Sequence, residues 1–199
     1  AAAKQHPLVV VTLNVNGLGS KGYCIGGLIA RFGLAGVVVD VLCLQETKLR
    51  AASAAPRVRG YYVAARRDRT ANGGGVLIYV RGALAAAELE VGGGGSVELV
   101  AIELPLYATA VRVACGYRPP GDDAAAFFGA VFDFGASAER DGAVWVLAAD
   151  VNVWGFDARA VGGDADERAF RSLLAERDGS RCLSGTARGC AASRSFTRV

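Results

Sequence analysis

The stretch AVWVLAADVNVW, residues 143–154, starts as a buried strand and ends in polar side chains. Ala143–Leu147 is apolar throughout, while Asp150 and Asn152 stand one alternation apart. Residues i and i+2 of a strand face the same side, so the two project together where the strand leaves the core. Two chemistries suit that pattern. One is a pair of oxygen-bearing groups holding a cation or an activated water. The other is a turn, since Asp and Asn side chains bond their own backbone. This segment alone leaves both open.

Three other apolar runs end the same way. Leu8–Leu13 leads into Asn14-Val15-Asn16-Gly17. Val37–Leu44, nearly continuous in hydrophobicity as a strand covered on both faces is, leads into Gln45-Glu46-Thr47. Ala110–Tyr117 leads into Arg118-Pro119-Pro120. In layered α/β sheets, sites form beyond one end of the strands. Asn14, Glu46, Tyr117, Asp150 and Asn152 are therefore expected to meet in one cleft. Carboxylates with neutral amides suit a hard, oxygen-preferring cation, above all Mg2+, with Mn2+ as a substitute. Such an ion neutralises a phosphate and stabilises a leaving group, and a phenol and arginines hold further phosphate oxygens. Phosphodiester hydrolysis follows as the reaction class.

Composition agrees. The 199 residues are 52% hydrophobic and 21% charged, which predicts one soluble globular domain over residues 1–199. No apolar run reaches the roughly 18 residues of a membrane span, so no membrane partner is expected. Leu8–Leu13 is too short for a signal peptide, and a reducing compartment, nuclear or else cytoplasmic, is expected. Five cysteines (Cys24, Cys43, Cys115, Cys182, Cys190) are scattered without a C-x-x-C pair. They read as structural thiols, because a disulfide is improbable there and the only histidine, His6, offers no zinc spacing. The net charge of +3 permits an anionic partner without proving one. The absence of methionine predicts a piece of a longer product.

Further strands are expected at Tyr61–Ala65, Gly75–Arg81 and Val97–Leu104, with Gly92–Gly95 as a loop. Ile25, Leu28, Ile29 and Phe32 mark a helix weakened by Gly22, Gly26, Gly27 and Gly33, at up to ~1 kcal/mol for each interior position. Asp122 or Asp123 caps a helix carrying Phe127, Phe128, Val131 and Phe132. Asp164 or Asp166 caps another carrying Phe170, Leu173 and Leu174, stopped by Gly179. Strands and helices in mixed order predict an α/β layered domain.

The motifs LNVNGL (13–18), DVLCLQETKL (40–49), GGGVLIYV (73–80), YRPP (117–120) and ADVNVW (149–154), in this order, resemble the endonuclease/exonuclease/phosphatase superfamily. They most resemble the apurinic-endonuclease-like domains of non-LTR (LINE-type) retrotransposons. The resemblance implies two packed mixed β-sheets flanked by helices, a four-layer, DNase I-like sandwich. It implies Glu46 as the principal Mg2+ ligand with Asn14 supporting metal and phosphate, and Asp150 orienting the attacking water. Asn152 and Tyr117 would contact the phosphate. Arg118, Asn72, Arg69 and, more weakly, Ser195 are the expected substrate contacts, with Asn72 reading equally as a turn residue. DNA is the expected partner, within a longer polypeptide that also carries reverse transcriptase. Other phosphoesterases of the superfamily (acting on inositol phosphates, sphingomyelin or RNA) and a catalytically dead nucleic-acid-binding remnant are the alternatives. The family's closing Ser-Asp-His motif is missing by Val199. The resemblance therefore implies a C-terminally truncated domain, marginally stable and essentially inactive on DNA.

The basic run Arg66-Arg67-Asp68-Arg69 has two readings, a grip on nucleic-acid backbone or a solvated loop. Gly73–Gly75 lacks the lysine and following helix of a phosphate-binding loop. Trp145 reads as core, while Trp154 is a candidate for base stacking. Asp164, Asp166 and Glu167 read as helix-start charges.

Overall fold

A computed structural model describes residues 7–69, 73–94, 97–106 and 109–152 and the strand at 195–198. Strand β2 (Val41–Gln45) shows how the sequence builds the layers. All five of its residues are buried, because each face meets a different core. Val41 and Cys43 point inward, to Val10, Ile78 and Val80 of their own sheet and to Ile102, Val113 and Cys115 of the other. Leu42 and Leu44 point outward, to Val11, Leu77, Tyr79 and Ile25.

The first sheet runs in the order β3-β4-β2-β1-β9, from Tyr61–Arg67, Val76–Arg81, β2, Val9–Asn14 and Ser195–Arg198. The second runs β5-β6-β7-β8, from Ala87–Leu89, Glu98–Leu106, Thr109–Tyr117 and Val144–Asp150. Each is mixed: β1 and β2 are parallel, as are β7 and β8, and the remaining pairs are antiparallel. Helix α1 (Gly22–Leu34) covers the outer face of the first sheet through Ile25. Helix α2 (Ala124–Arg140) covers the second through Phe127, Phe128, Val131 and Phe134. The result is the four-layer sandwich, helix on sheet on sheet on helix.

Helix α1 forms despite its glycines, and one of them is required. A Cβ on Gly22 would lie 2.5 Å from Pro56 Cβ, so only glycine lets the loop pass. Gly26, Gly27 and Gly33 face open space and cost only helix propensity. In α2, Asp123 is the cap: its Oδ1 accepts from the backbone N–H groups of Ala125 (2.8 Å) and Ala126 (3.3 Å). Cys43 and Cys115 are buried free thiols, whereas Cys24 is exposed.

The expected strand at Val37–Leu44 begins only at Val41. Just before it, Asp40 bonds both neighbouring strands: its N–H donates to the Val9 carbonyl and its own carbonyl accepts from Arg81 N, both at 2.9 Å, while its carboxylate accepts from Val9 N at 3.0 Å and pairs with Arg81 at 2.8 Å. The strand β5 was not expected; it has three residues and pairs only with β6, too short for an alternation to register. Trp145 is half-buried, edge-on to Phe134 at 6.0 Å. No helix is long and apolar enough to cross a membrane among the described residues. The expected helix after Asp164, with Trp154, Glu167, Cys182 and Cys190, lies outside the described residues.

The ring of Phe127 fills the space over Gly116, where a Cβ would lie 2.9 Å from it. Phe127→Ala should lower unfolding stability by about 3–5 kcal/mol, read from urea denaturation with an unchanged slope. A loss below about 1 kcal/mol would mean that α2 does not seal the second sheet.

Candidate functional site

The parallel pairs place their last residues at one end of the sandwich. Asn14 is in register with Gln45 across β1 and β2, and Tyr117 with Asp150 across β7 and β8. Glu46 follows β2 directly. At this end the amide nitrogen of Asn14 donates to Glu46 Oε1 at 2.7 Å and to Asp150 Oδ2 at 2.7 Å. One NH2 group thus joins a carboxylate from each sheet. The Tyr117 hydroxyl lies near enough to Glu46 to favour its ionised form. Four of the sequence-predicted residues, Asn14, Glu46, Tyr117 and Asp150, therefore meet.

Burial opposes ionisation of Glu46. The hydrogen bond from Asn14, the nearby Tyr117 hydroxyl and the charge of Lys48, 3.5 Å away, outweigh it and hold the carboxyl below its ordinary range. Tyr117 moves the other way. Burial, then Glu46, then Asp150 and Glu98 push its phenol far above the usual value. It stays a protonated donor.

The backbone here is unusual. Asn16, Glu46, Lys48 and Asn152 have φ of 43°, 51°, 52° and 48°, and they are the only non-glycine residues in the left-handed region among the described residues. All four cluster at the strand ends that build this site. Such conformations cost on the order of 1–3 kcal/mol each and persist where the surroundings impose them, commonly at functional sites. Lys48 Nζ donates to Asn16 Oδ1, and Lys21 Nζ donates to the carbonyls of Val15 and Asn16, both at 2.9 Å.

Asn152 departs from the alternation. Strand β8 ends at Asp150, and the left-handed turn swings Asn152 away, so that its Nδ2 donates to the Arg118 carbonyl at 2.9 Å. The Asn152 N–H also approaches Asp150 Oδ1 at 3.4 Å. Asp150 thus serves a turn with one oxygen and bonds Asn14 with the other.

Two arginines expected as substrate contacts are engaged inside the protein. Arg118 is only 2% exposed. Its guanidinium donates to the carbonyls of Val151 (3.0 Å), Asp122 (2.9 Å) and Asn152 (3.3 Å), so it positions the Asn152 turn. Arg69 pairs with Glu98 at 3.2 Å and Asp122 at 3.5 Å. Arg66 is likewise tied to Asp68 at 2.7 Å, and Arg67 donates to the Val97 carbonyl at 2.5 Å. The run is a set of braces, a role invisible without the partners. Asn72 lies outside the described residues, and Ser195 is placed only by its backbone pairing with Thr12.

Two contributors escaped the sequence reading. Gln45 is buried and spans the sheets, its Nε2 reaching the Ala148 carbonyl (3.2 Å), Cys115 Sγ (3.3 Å) and Thr12 Oγ1 (2.9 Å). An amide closing an otherwise apolar strand was its only signal. Glu98, also buried, accepts from Gly75 N, and burial pushes its carboxyl up. This explains the glycine run: a Cβ would lie 2.5 Å from Glu98 at Gly74 and 2.5 Å from Thr47 Oγ1 at Gly75. Beside Tyr117 a groove of about 550 Å3 continues past Arg69, Glu98, Asp122 and Phe127.

A model of the endonuclease/exonuclease/phosphatase family matches residues 11–192. A search of curated proteins found no match. Among solved structures, the chain is similar to the endonuclease domain of TRAS1, a telomere-specific non-LTR retrotransposon, at 14% identity. That match covers 86% of this chain and 72% of the other with a TM-score of 0.57. It is similar to a 3′-5′ exonuclease from Neisseria meningitidis (20% identity, 92% and 80% covered, TM-score 0.57). It is also similar to an AP endonuclease from Archaeoglobus fulgidus (14% identity, 96% and 86% covered, TM-score 0.53). At these identities the likeness is one of fold, the DNase I-like sandwich.

Folded Tyr117 ionises above the ordinary 10.0. As pH rises through that value the unfolded chain releases its proton first, so stability falls. The melting temperature of Tyr117→Phe should drop less steeply than that of the parent between about pH 9.5 and 11. Parallel curves would show that Tyr117 is not held against Glu46.

Proposed function

The chain belongs to the endonuclease/exonuclease/phosphatase family, and from that premise we propose that it hydrolyses DNA phosphodiester bonds with a divalent cation, leaving a nick. The observation that carries this reading is the Asn14 amide bonded at 2.7 Å to both Glu46 and Asp150. Two carboxylates facing one nitrogen, with a single lysine nearby, leave an excess of negative charge that a cation offsets. The donor set is all oxygen, which suits Mg2+, or Mn2+ in its place, over zinc.

Glu46 would hold the ion, with Asn14 beside it. When bound, it neutralises the phosphate and stabilises charge on the leaving oxygen. Asp150 orients a water and takes its proton. The water oxygen bonds to phosphorus as the ester P–O bond breaks, and the leaving oxygen takes a proton from solvent, giving a phosphomonoester and a hydroxyl. Tyr117, kept protonated, donates to a phosphate oxygen. Asn152, turned to the Arg118 carbonyl, anchors the end of the strand that carries Asp150.

The three similar structures are named as nucleases, which favours nucleic acid over lipid or inositol phosphates. The TRAS1 likeness favours a mobile-element protein acting in the nucleus, with reverse transcriptase on the same polypeptide.

Supercoiled plasmid with excess protein tests the reading. Nicked circles should form with Mg2+ and not with EDTA, and Glu46→Gln and Asp150→Asn should each reduce nicking to background. Nicking that needs no cation, or that survives Glu46→Gln, would remove Glu46 from a metal site. Faster release of phosphate from inositol phosphates, or of phosphocholine from sphingomyelin, would move the substrate class.

A further inference from the structure

Charge is divided unequally between the outer layers. From Asn16 to Arg67 the only acidic residues are Asp40 and Glu46, the first paired with Arg81 and the second in the site. The opposite layer, α2 and its flanks, carries Asp122, Asp123, Asp133, Glu139 and Asp141.

The basic character concentrates in the segment 47–60, which holds Lys48, Arg50, Arg57 and Arg59 and no acid. It runs the length of the first sheet. At the site end Thr47 N bonds the Gly75 carbonyl at 3.0 Å, and at the far end the Gly60 carbonyl accepts from Gly82 N at 2.8 Å. The six residues of β4 separate those ends by roughly 20 Å. Several cations outside this segment are paired, Arg66 with Asp68, Arg81 with Asp40 and Arg112 with Glu103, and within it Lys48 pairs with Glu46. Arg50, Arg57 and Arg59 are exposed, and no ion pair holds them among the described residues.

At the far end lies a groove of about 540 Å3, lined by Pro56, Arg57, Arg59, Tyr61, Tyr62 and Val63. Tyr62 is 37% and Val63 40% exposed. Tyr61 and Tyr62 are adjacent in β3 and face opposite sides of the sheet: Tyr61 packs with Val58 and Tyr79 on the groove side, and Tyr62 donates to the Leu84 carbonyl at 3.0 Å. The Tyr61 hydroxyl is tethered to the Val39 carbonyl at 2.6 Å, so its ring is held in place. A fixed aromatic face beside arginines without counter-charges is what a single nucleic-acid strand uses: phosphates on the guanidinium groups, a base on the ring.

We propose that the groove at Arg57–Val63 is an accessory site for single-stranded nucleic acid, remote from the Glu46–Asp150 site and joined to it by Lys48 and Arg50. An acidic peptide would satisfy the charges but leave the ring unused. Binding there requires no catalysis, so it stands apart from the nicking reaction.

The test is fluorescence anisotropy of a labelled oligo-dT strand with the full chain, in a Glu46→Gln background that prevents turnover. Binding in that background also separates this site from the catalytic reading, since loss of nicking leaves it intact. Arg57→Ala/Arg59→Ala should weaken binding about 10-fold and reduce the slope of log affinity against log salt by roughly 1.4. Arg57→Lys/Arg59→Lys should keep the slope, and Tyr61→Leu, which keeps an apolar side chain there, should weaken the single strand at least about 5-fold while sparing duplex. In the parent, Arg57→Ala/Arg59→Ala should leave nicking of a short duplex unchanged. Unaltered affinity and slope in the double alanine variant would overturn the proposal. So would equal effects of Tyr61→Leu on single strand and duplex. Arginine-dependent binding to phosphatidylserine vesicles without oligo-dT binding would also overturn it, making the patch a membrane surface.

Discussion

The side-chain nitrogen of Asn14 holds two carboxylates that would otherwise repel each other, one from each sheet. Everything at this end of the sandwich is arranged around that contact. The parallel pairs β1–β2 and β7–β8 bring their ends to the same edge. The buried amide of Gln45 ties the sheets just beneath, through Ala148 and Cys115. Left-handed turns at Glu46 and Asn152 aim or anchor the side chains, and Arg118 fixes the second turn from below through three carbonyls. Strain and like-charge proximity both cost free energy, and the packed cores of the two sheets offset it. The site is thus prepared by the fold rather than assembled by a ligand.

Much of this was legible in the sequence because burial writes itself as periodicity. The continuous run in β2 marks a strand with a core on each side, and Asn14, Glu46, Tyr117 and Asp150 mark where such strands emerge. What the sequence does not carry is the identity of partners far along the chain. Arg69 and Arg118 read as free cations, and only the structure shows Glu98 and the carbonyls around residues 122–152 engaging them. Asn152 was expected beside Asp150 by strand alternation. The strand ends one residue too soon, and a positive φ carries it elsewhere. Gln45 was hidden by its neighbour, since spacing does not tell a cross-sheet amide from a turn residue.

The glycine run at 73–75 makes the same point from the other direction. It looks like a phosphate loop without its lysine, yet its purpose is steric. The chain passes between Glu98 and Thr47 where no Cβ fits, and so brings the Gly75 N–H to the Glu98 carboxylate. That carboxylate restrains Arg69 and adds to the field that keeps Tyr117 protonated. Electrostatics at the site therefore depend on a loop that touches none of the reacting groups. At the scale of the whole molecule, the acid-free segment 47–60 gives the first sheet a basic flank that the second lacks.

The most direct measurement of the central claim is the position of Mn2+ in crystals soaked with the ion, located by its anomalous scattering. The account predicts one strong peak bonded to Glu46, within reach of Asn14 and Asp150, and its loss in Glu46→Gln crystals of the same form. A peak on another carboxylate cluster, or an unchanged peak in Glu46→Gln, would contradict it.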